Sequence, residues 1–299
     1  MTVAIRTEAL TKYYGKQRGL DGLDLEVQPG EIYGFLGPNG AGKTTTIRLL
    51  LDVLRPNRGR AEVLGLDPRA EGVELRKRVG YLPGDFVVNG RQTSRQLFKH
   101  LGALRGGVDG RYLDRLTERL GLDPTIIIRS LSKGNRQKVG LVQAFMHRPE
   151  LLILDEPTSG LDPILQREFQ AMAKEATAEG RTVFMSSHVL SEVQEVADRA
   201  CIIRDGRLVA VDRVETLRER SIRRVEIVFD EPVPAQTFAH IEGVENVTVE
   251  GSTLTCQLRG RADEFVKAVA RFSVASLLAE EQDLEEMFFA YYSDGADRA

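Results

Sequence analysis

Cysteine is scarce in this sequence: 299 residues carry two, Cys201 and Cys256. Their separation fits neither a disulfide framework nor a zinc-binding spacing, which leaves two buried thiols of a reducing compartment as the reading. Long apolar runs are also missing. No stretch approaches the ~18 apolar residues that a membrane span requires. The first residues, MTVAIRTEAL, lack the extended apolar core of a signal peptide. A cytoplasmic chain is therefore expected, and any work it does at a membrane needs a partner that supplies the spans. Neither sign of charge dominates. Forty-one Lys and Arg stand against 44 Asp and Glu, for a net charge of −3, and the isoelectric point is ≈ 6.0. That balance excludes the basic coat of a nucleic-acid binder. Internal repeats and low-complexity tracts are not evident either.

What is present is the composition of a globular protein, 42% hydrophobic and 28% charged. At ~150 residues per domain the length suggests two domains. Up to about Arg220 the chain alternates β-branched apolar runs with amphipathic helical patterns, which predicts an α/β fold around a buried sheet. Strands are predicted at 31–36, 151–155 and 182–186. Helices are predicted at 44–54, stopped by Arg55-Pro56, and from Pro163 to Gly180. Between about Asp85 and Met146 the pattern is mostly helical, as for a subdomain inserted between strands. Asp205-Gly206 marks a hairpin. After Ser221 the order changes to strand (224–229), helix (234–241), hairpin about Gly251 (246–250 and 253–258), helix (263–272) and strand (274–278). A last helix is expected at 283–292. This β-α-β-β-α-β order is that of a small ferredoxin-like α+β domain. The expected division is 3–220 and 221–299.

Gly37, Pro38, Asn39, Gly40, Ala41, Gly42, Lys43 and Thr44 follow an apolar strand and open a helix. This is the phosphate-loop pattern in the setting it requires. Its glycines allow backbone N–H groups to curl around phosphate oxygens, and the helix N-terminus adds positive potential. Lys43 would reach the β- and γ-phosphates, and the Thr44 hydroxyl would ligate Mg²⁺. The apolar run 151–154 ends in Asp155 and Glu156. In such a sheet the carboxyl end of a strand is where chemistry occurs. Asp155 can hold Mg²⁺ through water there, and Glu156, pointing differently, can polarise an attacking water. His188 follows a third strand at the same edge; alone it would read as an ordinary satisfied histidine.

With these residues in place, the chain resembles an ATP-binding-cassette (ABC) ATPase over roughly residues 3–215. The resemblance also rests on Leu131-Ser132-Lys133-Gly134-Asn135-Arg136-Gln137, similar to the family's LSGGQ signature. Ser159-Gly160-Leu161-Asp162 resembles its D-loop, and Ser187-His188 its switch histidine. It implies a P-loop ABC cassette with an inserted helical subdomain, working as a head-to-tail dimer. Ser132 and Gly134 of one subunit would then contact ATP held by the other's phosphate loop. It also implies cofactors ATP and Mg²⁺, nucleotide contacts from Thr45 and Asp162, and catalysis by Glu156 with His188. Tyr14 stands where the family places an adenine-stacking aromatic; by pattern alone Tyr13 is a rival for that role, and a half-buried strand tyrosine is the plain reading. The sequence departs from the family at two places. Lys133 and Asn135 replace signature residues, and Gly84-Asp85 stand where a Q-loop glutamine is usual. Asp85 is an oxygen ligand that suits Mg²⁺ and so a candidate substitute.

Within the family, the GPNGAGKTT, YLPGD and SKGNRQKV segments look like the bacterial drug and antibiotic exporter branch. Leu284–Tyr292 resembles that branch's closing helix. The branch implies a separately encoded multi-spanning permease, a second nucleotide-binding subunit, and a place at the cytoplasmic face of the membrane. The segment from Phe86 to Leu104 would face the permease, with Phe86, Val87 and Val88 as the exposed apolar candidates. The plain alternative for them is subdomain core. A soluble ABC-type ATPase that clamps nucleic acid or ribosomes is the rival function. It is disfavoured because the interval before the signature holds no sustained heptads and because the chain has a single cassette. A C-terminal ligand sensor is a third reading, resting on fold analogy alone.

Overall fold

The computed structural model describes residues 3–88, 91–216 and 222–281. The chain divides into two compact units between Val211 and Asp212. In the first unit β1 (Ile5–Tyr14) and β2 (Gln17–Val27) pair antiparallel. Next come β3 (Ile32–Leu36), α1 (Lys43–Leu50) and β4 (Arg58–Val63), which returns to the other edge of β1. There follow α2 (Gly72–Arg78), β5 (Val79–Leu82), and three helices, α3 (Ser94–Ala103), α4 (Gly110–Arg119) and α5 (Lys133–Phe145). The unit closes with β6 (Leu151–Asp155), α6 (Pro163–Ala178), β7 (Thr182–Ser187), α7 (Leu190–Gln194), β8 (Arg199–Arg204) and β9 (Arg207–Arg213), whose last two residues run past the boundary. No helix among the described residues is long and apolar enough to cross a membrane.

Two sheets result where the sequence suggested one. The antiparallel sheet runs β2-β1-β4 and the larger runs β5-β6-β7-β3-β8-β9. Every residue of β3, β6 and β7 is buried. That is the reason their apolar runs are continuous rather than alternating: a parallel strand covered on both faces has no solvent side. Parallel pairing places Leu36 beside Ser187 and Asp155 beside Ser186, so β3, β6 and β7 end together.

Helix boundaries shift for local reasons. The expected 44–54 helix ends at Leu50, because Asp52 takes a left-handed conformation (φ 52°) and the amides of Val53 and Leu54 both donate to Arg48 O. The expected 163–180 helix ends at Ala178, with Gly180 at φ 83° taking the left-handed position past its end. The hairpin at Asp205-Gly206 has positive φ at both residues (49° and 76°). In the helical insertion, α3 begins with a reciprocal cap between Thr93 and Gln96, and α4 with Asp109. Phe86 and Val88 are partly buried, the former beside Gly140, so of the three apolar candidates only Val87 is exposed.

The second unit contains β10 (Ile222–Phe229), α8 (Gln236–Ala239), β11 (Val244–Glu250), β12 (Thr253–Arg259), α9 (Asp263–Val269) and β13 (Val274–Glu281). Its sheet runs β11-β12-β10-β13, antiparallel throughout. This is the expected β-α-β-β-α-β connectivity. Inward residues alternate along β10 and β12 and meet Phe238 and Phe265 of the helices in a separate core. The expected helix at 283–292 lies outside the described residues. Both cysteines are buried and free. Burial pushes the Cys201 thiol up to about 12 and that of Cys256 up to about 11.

Candidate active site

The carboxyl ends of β3, β6 and β7 hold the phosphate loop, the carboxylate pair and His188. After β3 the chain turns through Gly42, whose φ of 112° is closed to a residue with a side chain. A Cβ there would also lie 2.7 Å from Gly19 O. This turn brings Lys43 to the start of α1 with its side chain folded over the loop. Its Nζ donates to Gly37 O at 2.6 Å and Pro38 O at 3.3 Å. It also pairs with Glu156 Oε1 at 3.2 Å, and Lys43 is only 6% exposed. A buried cation of this kind must be paired, and here the carboxylate that follows β6 supplies the countercharge.

Asp155 is 1% exposed and accepts from Ser186 Oγ at 2.6 Å and Thr44 Oγ1 at 2.7 Å. A hydroxyl and a carboxylate converging beside the phosphate loop are the hard oxygen donors that Mg²⁺ takes, with phosphate and water completing its shell. Among the described residues no cluster of three or more His, Cys, Asp or Glu could hold a metal alone. Gly84 borders this pair: a Cβ on it would lie 3.1 Å from Asp155 Oδ2. Asp85 is exposed.

Glu156 adopts φ 52°, a left-handed conformation costly for a residue with a side chain. Its amide donates to Ser186 Oγ at 3.1 Å, and its carbonyl accepts from Gln137 Nε2 at 3.0 Å. The carboxylate is thereby aimed between Lys43 and His188, whose Nδ1 lies 2.7 Å from Glu156 Oε2. An ionised carboxylate can only accept, so the hydrogen of this contact belongs to Nδ1.

The remaining predicted residues line the approaches. A groove of ≈ 320 Å³ is bounded by Tyr14, Gly19, Gly40, Gly42, Lys43, Thr44 and Thr45, among others. Tyr14 is 45% exposed and its hydroxyl lies 3.4 Å from Thr45 Oγ1. Tyr13 instead donates to Asp21 Oδ1 at 3.1 Å. Pro38, Asn39 and Ala41 complete the loop, where Gly206 N–H donates to Ala41 O at 3.0 Å. Ser132 caps α5, accepting from Asn135 N–H at 3.2 Å. Asp162 caps α6, accepting from Ile164 and Leu165 N–H at 3.0 Å each. Two further residues of this site were not singled out in the sequence, Ser186 and Glu192, the latter accepting from both Thr158 and Ser187 at 2.8 Å; Gln137 stood there only as the end of the signature-like stretch, with no contact to Glu156 foreseen.

Comparison with known proteins matches residues 20–159 to the ABC transporter family. The chain is 38% identical to the bacitracin transport ATP-binding protein BcrA of Bacillus licheniformis, over 76% of this chain and 75% of that protein. It is 34% identical to the daunorubicin resistance ATP-binding protein DrrA3 of Streptomyces coeruleorubidus, over 97% and 96% of the two chains. The chain belongs to the ABC transporter ATPase family. Among solved structures, an ATP-binding subunit of an ABC transporter aligns over 73% of this chain and 92% of its own, with TM-score 0.67 and 27% identity. The dimeric cassette MJ0796, bound to ADP and phosphate, shares the fold at TM-score 0.63 and 19% identity, covering 70% of this chain and 98% of its own. The phosphate loop, Asp155-Glu156 and His188 lie together, while the signature-like stretch 131–137 opens α5, which packs on the segment after β6 through Lys133 and Gln137.

Proposed function

We propose that this ABC ATPase is the energy-supplying subunit of a bacterial exporter of drugs, antibiotics or similar amphipathic molecules. In this reading residues 3–220 form the cassette and 221–299 an accessory domain. Two copies close head to tail on ATP and drive a separately encoded multi-spanning permease from the cytoplasmic face of the membrane, with no nucleic acid involved. The names of the bacitracin and daunorubicin relatives support the cargo class. Exposed Val87 (64%) and Leu104 (66%) support the segment 86–104 as the permease contact.

One observation carries the chemical part: the Glu156 carboxylate is held between Lys43 and His188, next to the Thr44–Asp155 pair. Lys43 binds phosphate oxygens, and loop amides surround the rest. Thr44 and Asp155 would hold Mg²⁺, which neutralises charge on the transferring phosphoryl group when bound. Glu156 accepts a proton from water as its oxygen attacks the γ-phosphorus and the bond to the β-phosphate breaks, giving ADP and phosphate. His188 keeps the carboxylate aimed through its Nδ1–H. Ser132 and Gly134 of the second copy complete the pocket, and Tyr14 stacks on the adenine. A positioned base contributes ~10²–10⁴-fold, so Glu156→Gln should retain ATP binding, slow turnover by about that much and accumulate dimer in size-exclusion chromatography. Wild-type turnover in that variant would remove Glu156 from the role.

A further inference from the structure

Gln137 is 5% exposed, and its side-chain amide donates both hydrogens to one short stretch of backbone: Glu156 O at 3.0 Å and Pro157 O at 3.1 Å. That is the entire donor capacity of a glutamine amide. The stretch it holds is the strained one, since Glu156 sits at φ 52°. A non-glycine residue persists in that conformation only where its surroundings over-determine it. Here Ser186 Oγ takes the amide hydrogen of Glu156 from one side and Gln137 holds its carbonyl from the other. The same helix continues the contact. The Lys133 stem lies within 3.7–3.8 Å of where a Cβ on Gly160 would be, its Nζ is 3.4 Å from Ser159 Oγ, and Gly134 leaves no room for a Cβ beside Gly160 O.

We propose that Gln137 is a positioning residue for hydrolysis: it fixes the backbone of Glu156 so that the carboxylate faces the γ-phosphate. Because α5 opens with Ser132 and Gly134, it also ties the signature of a subunit to the base of that subunit's own site. This rests on Glu156 being the base. Gln137 gives both amide hydrogens to this backbone and acts through Glu156.

The test uses the full chain with methionine, an apolar residue of similar length, at position 137. A misplacement of about 1 Å at a reacting group costs on the order of 10²-fold. Gln137→Met should lower kcat by about that factor, with KM and equilibrium ATP affinity unchanged. In a Glu156→Gln background, where no base remains to be aimed, the same substitution should slow single-turnover hydrolysis no further. Gln137→Glu keeps shape and size but cannot donate when ionised, and it should reproduce the loss where the methionine variant fails to fold. Wild-type kcat in a folded Gln137 variant, a parallel loss of ATP affinity, or full additivity with Glu156→Gln each overturns the proposal. The base assignment fails on a different result, undiminished turnover of Glu156→Gln alone.

Discussion

At the carboxyl ends of β3, β6 and β7 the site is closed upon itself. Lys43, Asp155 and Ser186 are 6%, 1% and 0% exposed, and Gly37, Pro38, Glu156 and Thr44 satisfy them from within the chain. At the first turn of α5 the situation is opposite. Ser132 and Lys133 are exposed, no acidic residue lies in that turn, and Lys133 adds positive charge to a helix N-terminus that already attracts anions. One region is built to be complete in a single molecule; the other presents unspent positive potential outward. On the head-to-tail reading proposed above, the closed region binds ATP within one molecule and the open one completes the pocket of a second copy.

The strongest way to break the comparison is in the closed half. Lys43→Ala removes the charge that meets the phosphates and strands Glu156 without its cation. A charge-assisted hydrogen bond is worth about 1.5–3 kcal/mol, so ATP affinity should fall by roughly 10- to 100-fold, and hydrolysis by at least ~10². Isothermal titration and phosphate release measure the two; an unchanged affinity would mean that the loop amides suffice. The open half should respond differently. Gly134→Ala places a Cβ 2.6 Å from Gly160 O, a crowding that costs about 1–3 kcal/mol. ATP affinity of the single chain should stay as it is, while ATP-dependent dimer in a Glu156→Gln background weakens by about 10-fold. Loss of single-chain binding instead would show that the halves are not separable.

A smaller effect is expected at Asp85. It is exposed, and Gly84 is the residue that borders Asp155. Reaching a cation held by Thr44 and Asp155 requires the carboxylate to act through the nucleotide-bound arrangement. If Asp85 takes the place of the Q-loop glutamine, Asp85→Ala should raise the Mg²⁺ concentration for half-maximal hydrolysis several-fold and leave ATP affinity in EDTA unchanged. An unaltered magnesium titration returns Asp85 to the status of a loop residue.

The legibility of these regions in the sequence follows the range of the contacts. The phosphate loop, Asp155-Glu156 and the strands beneath them could be read because adjacent residues in one strand–loop–helix unit create them. The ferredoxin-like order of the second unit could be read for the same reason, from period-two strands such as 224–229 against helical stretches. The β2-β1-β4 sheet could not: β1 is interrupted by register shifts between Thr7 and Leu10 and again before Lys12 and Tyr13, which blur its alternation. Gln137 could be read as the end of the signature-like stretch and Ser186 as part of a strand, but not what they hold, because their partners, Glu156 and Asp155, lie 19 and 31 positions away. Nothing in the local pattern of a helix or a buried strand announces such a contact. Asp85 was preferred over Gly84 on side-chain chemistry alone, whereas proximity to Asp155 is decided by how the chain leaves β5.

The two halves are joined by the short connection from α5 into β6, and His147 lies on it. Its Nε2 is 3.3 Å from Val79 O, and its Nδ1 is buried with no hydrogen-bond partner. Burial, reinforced by the nearby Arg105 charge, lowers its pKa from 6.5 to about 4, while the hydrogen bond to Val79 O opposes the shift. The unfolded chain therefore takes up this proton near pH 6.5 and the folded chain only near pH 4. Between those values the unfolded state binds more protons, so the stabilising effect of a neutral His147 is complete above pH 6.5 and declines as the pH falls toward 4. His147→Gln, which keeps a donor and an acceptor but does not titrate, should flatten that part of the melting-temperature profile. The change should be a few degrees between pH 7 and pH 5, of the order of 1 kcal/mol for a domain of this size. ATP binding at pH 7 should be untouched, because His147 bears on the junction between the regions and on neither surface. A profile as steep as that of the wild type would place the acid-sensitive group elsewhere, and coupled loss of ATP-dependent dimer at pH 7 would show that the junction itself carries the communication between the halves.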